Sequence, residues 1–289
     1  MGKISRLLQV RQPKRTVTMQ ASEEEVLAYV QQSKVLAHAG RKCVDGRYLP
    51  DQATGMIARP GGDCGYVMAL MAVNRKKGLG LTPEQCFNAV YNVVSKIDRF
   101  CMHTDHHADP DTHTHVGLIG CGHLAKAAVH GHSRDYDVRG EDVKRVVNYA
   151  RNICEISGSV DMINLSGEHQ ERAVLIINND THTVLADNPV LNQMYFIYDQ
   201  KRDMAFIKSL VEKLHIEGLT FDDMKRESDL QLHATLHNLA EGLPIFTVDF
   251  IGSKPQVTYT GIVEHKSLRS RIPLPSFPHL FLSKFSRSN

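Results

Sequence analysis

The chain has 289 residues, 42% of them apolar, enough to bury one large core or two modest ones, and 34 basic against 32 acidic residues leave a net charge of +2. So even a balance supplies no bulk field for nucleic acid or for an anionic membrane, and neither is expected as a partner. Six cysteines in a chain this long argue against a disulfide scaffold, whereas 16 histidines, eight of them between His103 and His132, are the unusual feature.

Residues 1–20 are basic around a short apolar run, too short for the centre of a secretory signal or for a membrane span, and they read as a loosely ordered leader of a cytoplasmic protein. Ser22 followed by Glu25 is a capping-box pattern, and Val26, Leu27, Val30, Val35 and Leu36 predict a helix that Gly40 ends. A short strand should follow and carry Cys43 near its end, with a loop running on to Pro60. Pro60-Gly61-Gly62 predicts a tight turn into a helix over 63–77, stopped by Gly78. Thr82-Pro83-Glu84-Gln85 is a second helix start.

Residues 100–102 read as a strand delivering His103 to a loop, and a short helix is expected after Gly122. A helix over 141–156 places Val143, Val146, Val147, Ala150 and Ile153 on one face. Residues 173–177 are apolar and largely β-branched, as in a buried strand. A long polar helix over 220–241 and a hairpin of strands 245–251 and 256–263 follow, with a proline-rich tail. Helices alternating with short apolar strands predict an α/β layer architecture.

Three segments bring metal-binding residue types into one chain: Cys43-Val44-Asp45-Gly46-Arg47, His103-Thr104-Asp105-His106-His107 and Gly120-Cys121-Gly122. Two thiolates and an imidazole suit zinc or cadmium, and three protein ligands leave a fourth position open for water. Glycines on both sides of Cys121 leave space for a metal and a small substrate. The competing reading makes Cys43 and Cys121 buried thiols and the histidines polar loop residues. Cys64, Cys86, Cys101 and Cys154 fall in apolar patterns and read as core, as do Met68, Leu70 and Met71.

The segments KCVDGR (42–47), PGG (60–62), HTDHH (103–107), GCG (120–122) and SGEHQERAVLIINNDTHTVLADN (166–188) occur in the order in which similar motifs occur in the cadmium-type (zeta-class) carbonic anhydrases of marine diatoms. The resemblance spans roughly residues 35–214 and rests on five ordered motifs. It implies a carbonic-anhydrase-like mixed sheet flanked by helices, a metal-dependent catalytic domain over 21–217, and a C-terminal helix and hairpin extension over 218–289. It implies Zn2+ or Cd2+ held by Cys43, His103 and Cys121, with Asp45 and Arg47 orienting an acidified water toward CO2, giving bicarbonate. The loop after His103 is longer than in the diatom enzymes, with ADPDTHTH inserted, so His106, His107, His113 and His115 stay open as alternative ligands. His106 and His107 are also candidate proton shuttles, because imidazole titrates near neutrality. His169 falls at the histidine of the family's GxHxE strand. A carbon disulfide or carbonyl sulfide hydrolase on the same site, and a noncatalytic metal- or partner-binding homologue, are the alternatives. Homo-oligomerisation stays open.

Overall fold

A computed structural model describes residues 21–32, 34–36, 39–43, 55–59, 61–97, 100, 138–153, 172–178, 183–185, 195–239 and 241–263. They form a mixed α/β architecture of six helices and eight strands. In chain order these are α1 (Glu23–Gln32), β1 (Lys34–Leu36), β2 (Ala39–Cys43), β3 (Gly55–Arg59), α2 (Cys64–Lys77), α3 (Pro83–Val94) and α4 (Gly140–Ile153). Then come β4 (Ala173–Ile177), β5 (Thr183–Leu185), β6 (Tyr195–Asp199), α5 (Gln200–Leu214), α6 (Phe221–Leu239), β7 (Pro244–Ile251) and β8 (Lys254–Ile262).

The main sheet has the order β6-β4-β7-β8. β4 runs parallel to both β6 and β7, and β8 closes the edge as an antiparallel hairpin with β7. As the central parallel strand, β4 is covered on both faces, which explains five consecutive buried residues where a one-sided strand would alternate. Ala173, Leu175 and Ile177 pack with Phe246, Val248 and Phe250 beneath Val26, Tyr29 and Val30 of α1. Val174, Ile176 and Tyr198 meet Leu232 of α6 on the opposite face. Burying each such aliphatic side chain contributes about 1.5–3 kcal/mol, so neither layer can be stripped without exposing the strand. The smaller pairs are β1 with β5, antiparallel, and β2 with β3, parallel.

A second core forms around α2, whose residues from Cys64 to Val73 are all buried. A helix apolar on every side belongs in an interior, and α2 sits among α3, α4, α5 and α6, in a core to which all five contribute. At its carboxyl-terminal turn the basic residues meet the acidic face of α6. Lys76 Nζ donates to both carboxylate oxygens of the fully buried Glu227 at 2.8 Å, and Lys77 reaches Asp223. Gly78 ends α2 at φ 66°, a left-handed residue whose N–H returns to the Asn74 carbonyl at 2.8 Å.

Both expected capping boxes are present. Ser22 N–H donates to Glu25 Oε2 at 2.8 Å while Glu25 N–H donates to Ser22 Oγ at 3.2 Å, and Thr82 and Gln85 make the same reciprocal pair. The helix expected to reach Gly40 stops at Gln32 instead. Val35 and Leu36 enter β1 opposite Val184 and Thr183, and Gly40 lies inside β2, because cross-strand pairing recruits these residues. The loop expected to run on to Pro60 contains β3, recruited by β2 in the same way. Helix α4 buries Val143, Val146, Val147 and Ala150, whereas Ile153 at its last position is 37% exposed. Cys64, Cys86, Met68, Leu70 and Met71 are buried as expected. The expected strand over 100–102, the helix after Gly122, Cys101, Cys154 and the 1–20 leader lie outside the described residues. Among the described residues, no helix is long and apolar enough to cross a membrane.

Candidate functional site

β2 and β3 run parallel and in register, so their carboxyl ends coincide, with Cys43 directly opposite Arg59. In open α/β sheets, ligands bind outside the carboxyl ends of the strands. The chain leaves β3 through Gly61 at φ 73° and Gly62 at φ 69°. Two successive left-handed residues are disfavoured for any side chain with a Cβ, which is why this turn takes a glycine pair. Gly62 N–H closes the turn on the Arg59 carbonyl at 3.0 Å, and the turn delivers the buried Asp63 to the start of α2.

The Arg59 side chain is 1% exposed and lies in a buried polar cluster. Its Nε donates to Asp203 Oδ1 at 3.1 Å, its Nη2 pairs with Asp203 Oδ2, and its Nη1 donates to the Ser228 carbonyl at 2.6 Å. Tyr66 Oη donates to Asp203 Oδ1 at 2.7 Å and Tyr198 Oη to Oδ2 at 2.6 Å, so each carboxylate oxygen accepts one guanidinium and one phenol hydrogen bond. The guanidinium carbon lies 5.6 Å from the Tyr66 ring centroid and 5.8 Å from that of Tyr198, within cation–π range.

The electrostatics follow from that geometry. Burial works against the Arg59 charge, but the Asp203 carboxylate outweighs it and holds its pKa above the ordinary arginine value. Burial, reinforced by the Asp203 carboxylate, pushes both Tyr66 and Tyr198 well above the usual phenol value. Both therefore remain protonated donors at neutral pH, the form that two hydrogen bonds to one carboxylate require.

Five elements supply the cluster, and local sequence explains how each arrives. Tyr198 precedes Asp199, the last residue of β6, which also caps α5 by accepting from Arg202 N–H at 3.2 Å. The helix starts without an intervening loop, so Asp203 in its first turn reaches back to the end of β3. Tyr66 comes from the first turn of α2, and the Ser228 carbonyl from α6. The cluster thereby ties the carboxyl ends of β3 and β6 to α2, α5 and α6.

Of the residues expected at the site, the structure places Cys43 as the closing backbone position of β2. Asp45, Arg47, His103, His106, His107, His113, His115, Cys121 and His169 lie outside the described residues. Among the described residues, no group of three or more His, Cys, Asp or Glu side chains is arranged to hold a metal ion. Arg59, Asp203, Tyr66 and Tyr198 escaped the sequence reading. Arg59 and Asp203 stand 144 positions apart, and only the polar ends of two short apolar runs, Met56-Ile57-Ala58-Arg59 and Phe196-Ile197-Tyr198-Asp199, mark the strands involved. Comparisons of the chain with known protein families, with characterised proteins and with solved structures return no match.

Proposed function

We propose that this chain is a metal-dependent carbonic anhydrase resembling the cadmium-type (zeta-class) enzymes, catalysing reversible hydration of CO2 to bicarbonate. The observation that carries the reading is the position of Cys43, at the carboxyl end of a parallel strand and beside the turn made by Gly61 and Gly62. A strand end of this kind is where an α/β fold gathers catalytic residues from separate parts of the chain. The five motifs in family order supply the rest of the argument.

The donor set suits the group. Cys43, His103 and Cys121 offer two thiolates and an imidazole, the soft and borderline donors that zinc and cadmium take, and they leave one coordination position open. When bound, such an ion would supply Lewis acidity that lowers the pKa of a water, to about 7 in the case of zinc in carbonic anhydrase. Asp45 would orient the attacking oxygen by accepting a hydrogen bond from it. Arg47 would hold Asp45 ionised by pairing with it, so that Asp45 stays an acceptor. His106 and His107 would carry the released proton to solvent, a role suited to imidazole, which as a group titrates near neutrality. The small linear substrate needs no large pocket.

Stopped-flow CO2 hydration, run on metal-loaded and chelator-stripped protein, tests the reading. Activity above buffer that vanishes on chelation and returns with zinc or cadmium is expected. Stoichiometrically loaded protein with no activity above buffer would rule it out, and turnover of carbon disulfide in its place would reassign the substrate.

A further inference from the structure

We infer that the Arg59–Asp203 pair, clamped by Tyr66 and Tyr198, is a positioning unit that holds the Cys43 strand end in the geometry needed to bind a soft divalent metal. The inference rests on the reading of Cys43 as a ligand, and it adds four residues that the metal-site motifs do not contain.

The first observation is adjacency. Arg59 is the register partner of Cys43 at the last paired position of β2 and β3, so any shift of the β3 end is transmitted through the strand pairing to Cys43. The second is rigidity. Both oxygens of Asp203 are used twice, Arg59 is further tied to the Ser228 carbonyl, and the Arg59 carbonyl accepts from Gly62. An arginine fork on a carboxylate fixes orientation as well as distance, which a lysine point charge does not. The third is economy of design. Apolar residues of similar volume commonly replace a buried ion pair without loss of stability, so cohesion alone does not require Arg59 here. What the pair adds is direction, at the strand end where a ligand must be placed accurately. The comparison within the molecule is the Lys76–Glu227 pair between α2 and α6, where Lys76 is 34% exposed and neither partner belongs to a strand end.

Residues behind a metal ligand typically change metal affinity or activity about 10–100-fold when replaced. The test is cadmium titration of the full chain, followed by the thiolate-to-cadmium charge-transfer band in the ultraviolet, with thermal unfolding recorded on the same samples. Arg59→Lys keeps the charge and loses the fork, and is expected to weaken cadmium binding about 10–100-fold with an altered band. Tyr198→Phe, which leaves the ion pair in place, keeps the fold accessible to the test and is expected to give a smaller loss. Lys76→Met is expected to lower thermal stability and leave cadmium affinity unchanged. Wild-type affinity in both Arg59→Lys and Tyr198→Phe, or an equal loss in Lys76→Met, would overturn the inference, as would wild-type protein that takes up no cadmium. Cysteine-43-dependent cadmium binding without CO2 hydration would instead refute the enzymatic reading and leave the positioning unit standing.

Discussion

Replacing Asp203 by alanine is the most severe perturbation the structure allows at a single position. Arg59 is 1% exposed and Asp203 fully buried, so no solvent is available to take over the lost contacts. Removing one partner of a buried ion pair costs about 3–5 kcal/mol, because the other charge is left without compensation. Tyr66 and Tyr198 lose their acceptor at the same time, and each unsatisfied buried hydroxyl adds about 1–3 kcal/mol. These groups touch one another, so the costs do not sum, and a total of about 4–6 kcal/mol is expected. That approaches the whole stability of a marginal domain, about 5–15 kcal/mol. Urea unfolding followed by circular dichroism gives the midpoint and slope for wild type, Asp203→Ala, Arg59→Met and the double variant Arg59→Met/Asp203→Leu. The double variant is expected to recover most of the loss. A cost below about 1 kcal/mol for Asp203→Ala, or a double variant less stable than either single one, would refute the buried-pair argument.

Three further outcomes follow from other parts of the molecule. Burial alone would raise the Asp223 carboxyl, but Lys77 and Thr220 overcome it and hold Asp223 below the ordinary aspartate value. A depressed folded pKa means that the unfolded chain binds more protons in acid. The contribution is therefore complete above the unfolded value of about 3.9 and is lost as pH falls through the folded value; Lys77→Met should flatten this part of the urea-midpoint-versus-pH curve. Phe87 is fully buried, with ring centroids of Tyr91, Phe100 and Tyr149 at 5.5, 5.4 and 5.7 Å, so Phe87→Ala should cost about 3–5 kcal/mol, measured as a shift in urea midpoint. Burial, aided by the carboxylates of Asp142 and Glu84, pushes the Cys86 thiol up to about 12. Peptide mapping after alkylation at pH 8 should find Cys86 unmodified in native protein and modified once unfolded; native labelling at the unfolded rate would contradict its burial.

What could be read from the chain beforehand was local. Ser22 and Glu25, Thr82 and Gln85, and Gly78 each act within a few residues, so their pattern carries the geometry with it. Ala173–Ile177 announced a strand covered on both faces by being apolar throughout, and Gly252-Ser253 announced the β7–β8 hairpin. Helix α5 was missed because Gln200, Lys201 and Arg202 open it with polar residues directly off a strand. β3 and β6 were missed because their apolar runs are broken by Gly55 and Arg59 and by Asp199, so that pairing with β2 and β4, rather than their own pattern, defines them as strands. The Arg59–Asp203 cluster belongs to the same class: its members come from positions 59, 66, 198 and 203 and meet only once β3, β6, α2 and α5 have assembled. Cys43 was legible as a candidate from residue type and motif order, while its place at a parallel strand end needed the pairing with β3.

The central claim, that Cys43 anchors a catalytic metal, is tested most directly by elemental analysis of purified chain alongside Cys43→Ser. One zinc or cadmium per wild-type chain is expected, falling to a small fraction in the folded variant. Stoichiometric metal retained in Cys43→Ser, or none bound by the wild type after exposure to zinc and cadmium, would contradict it.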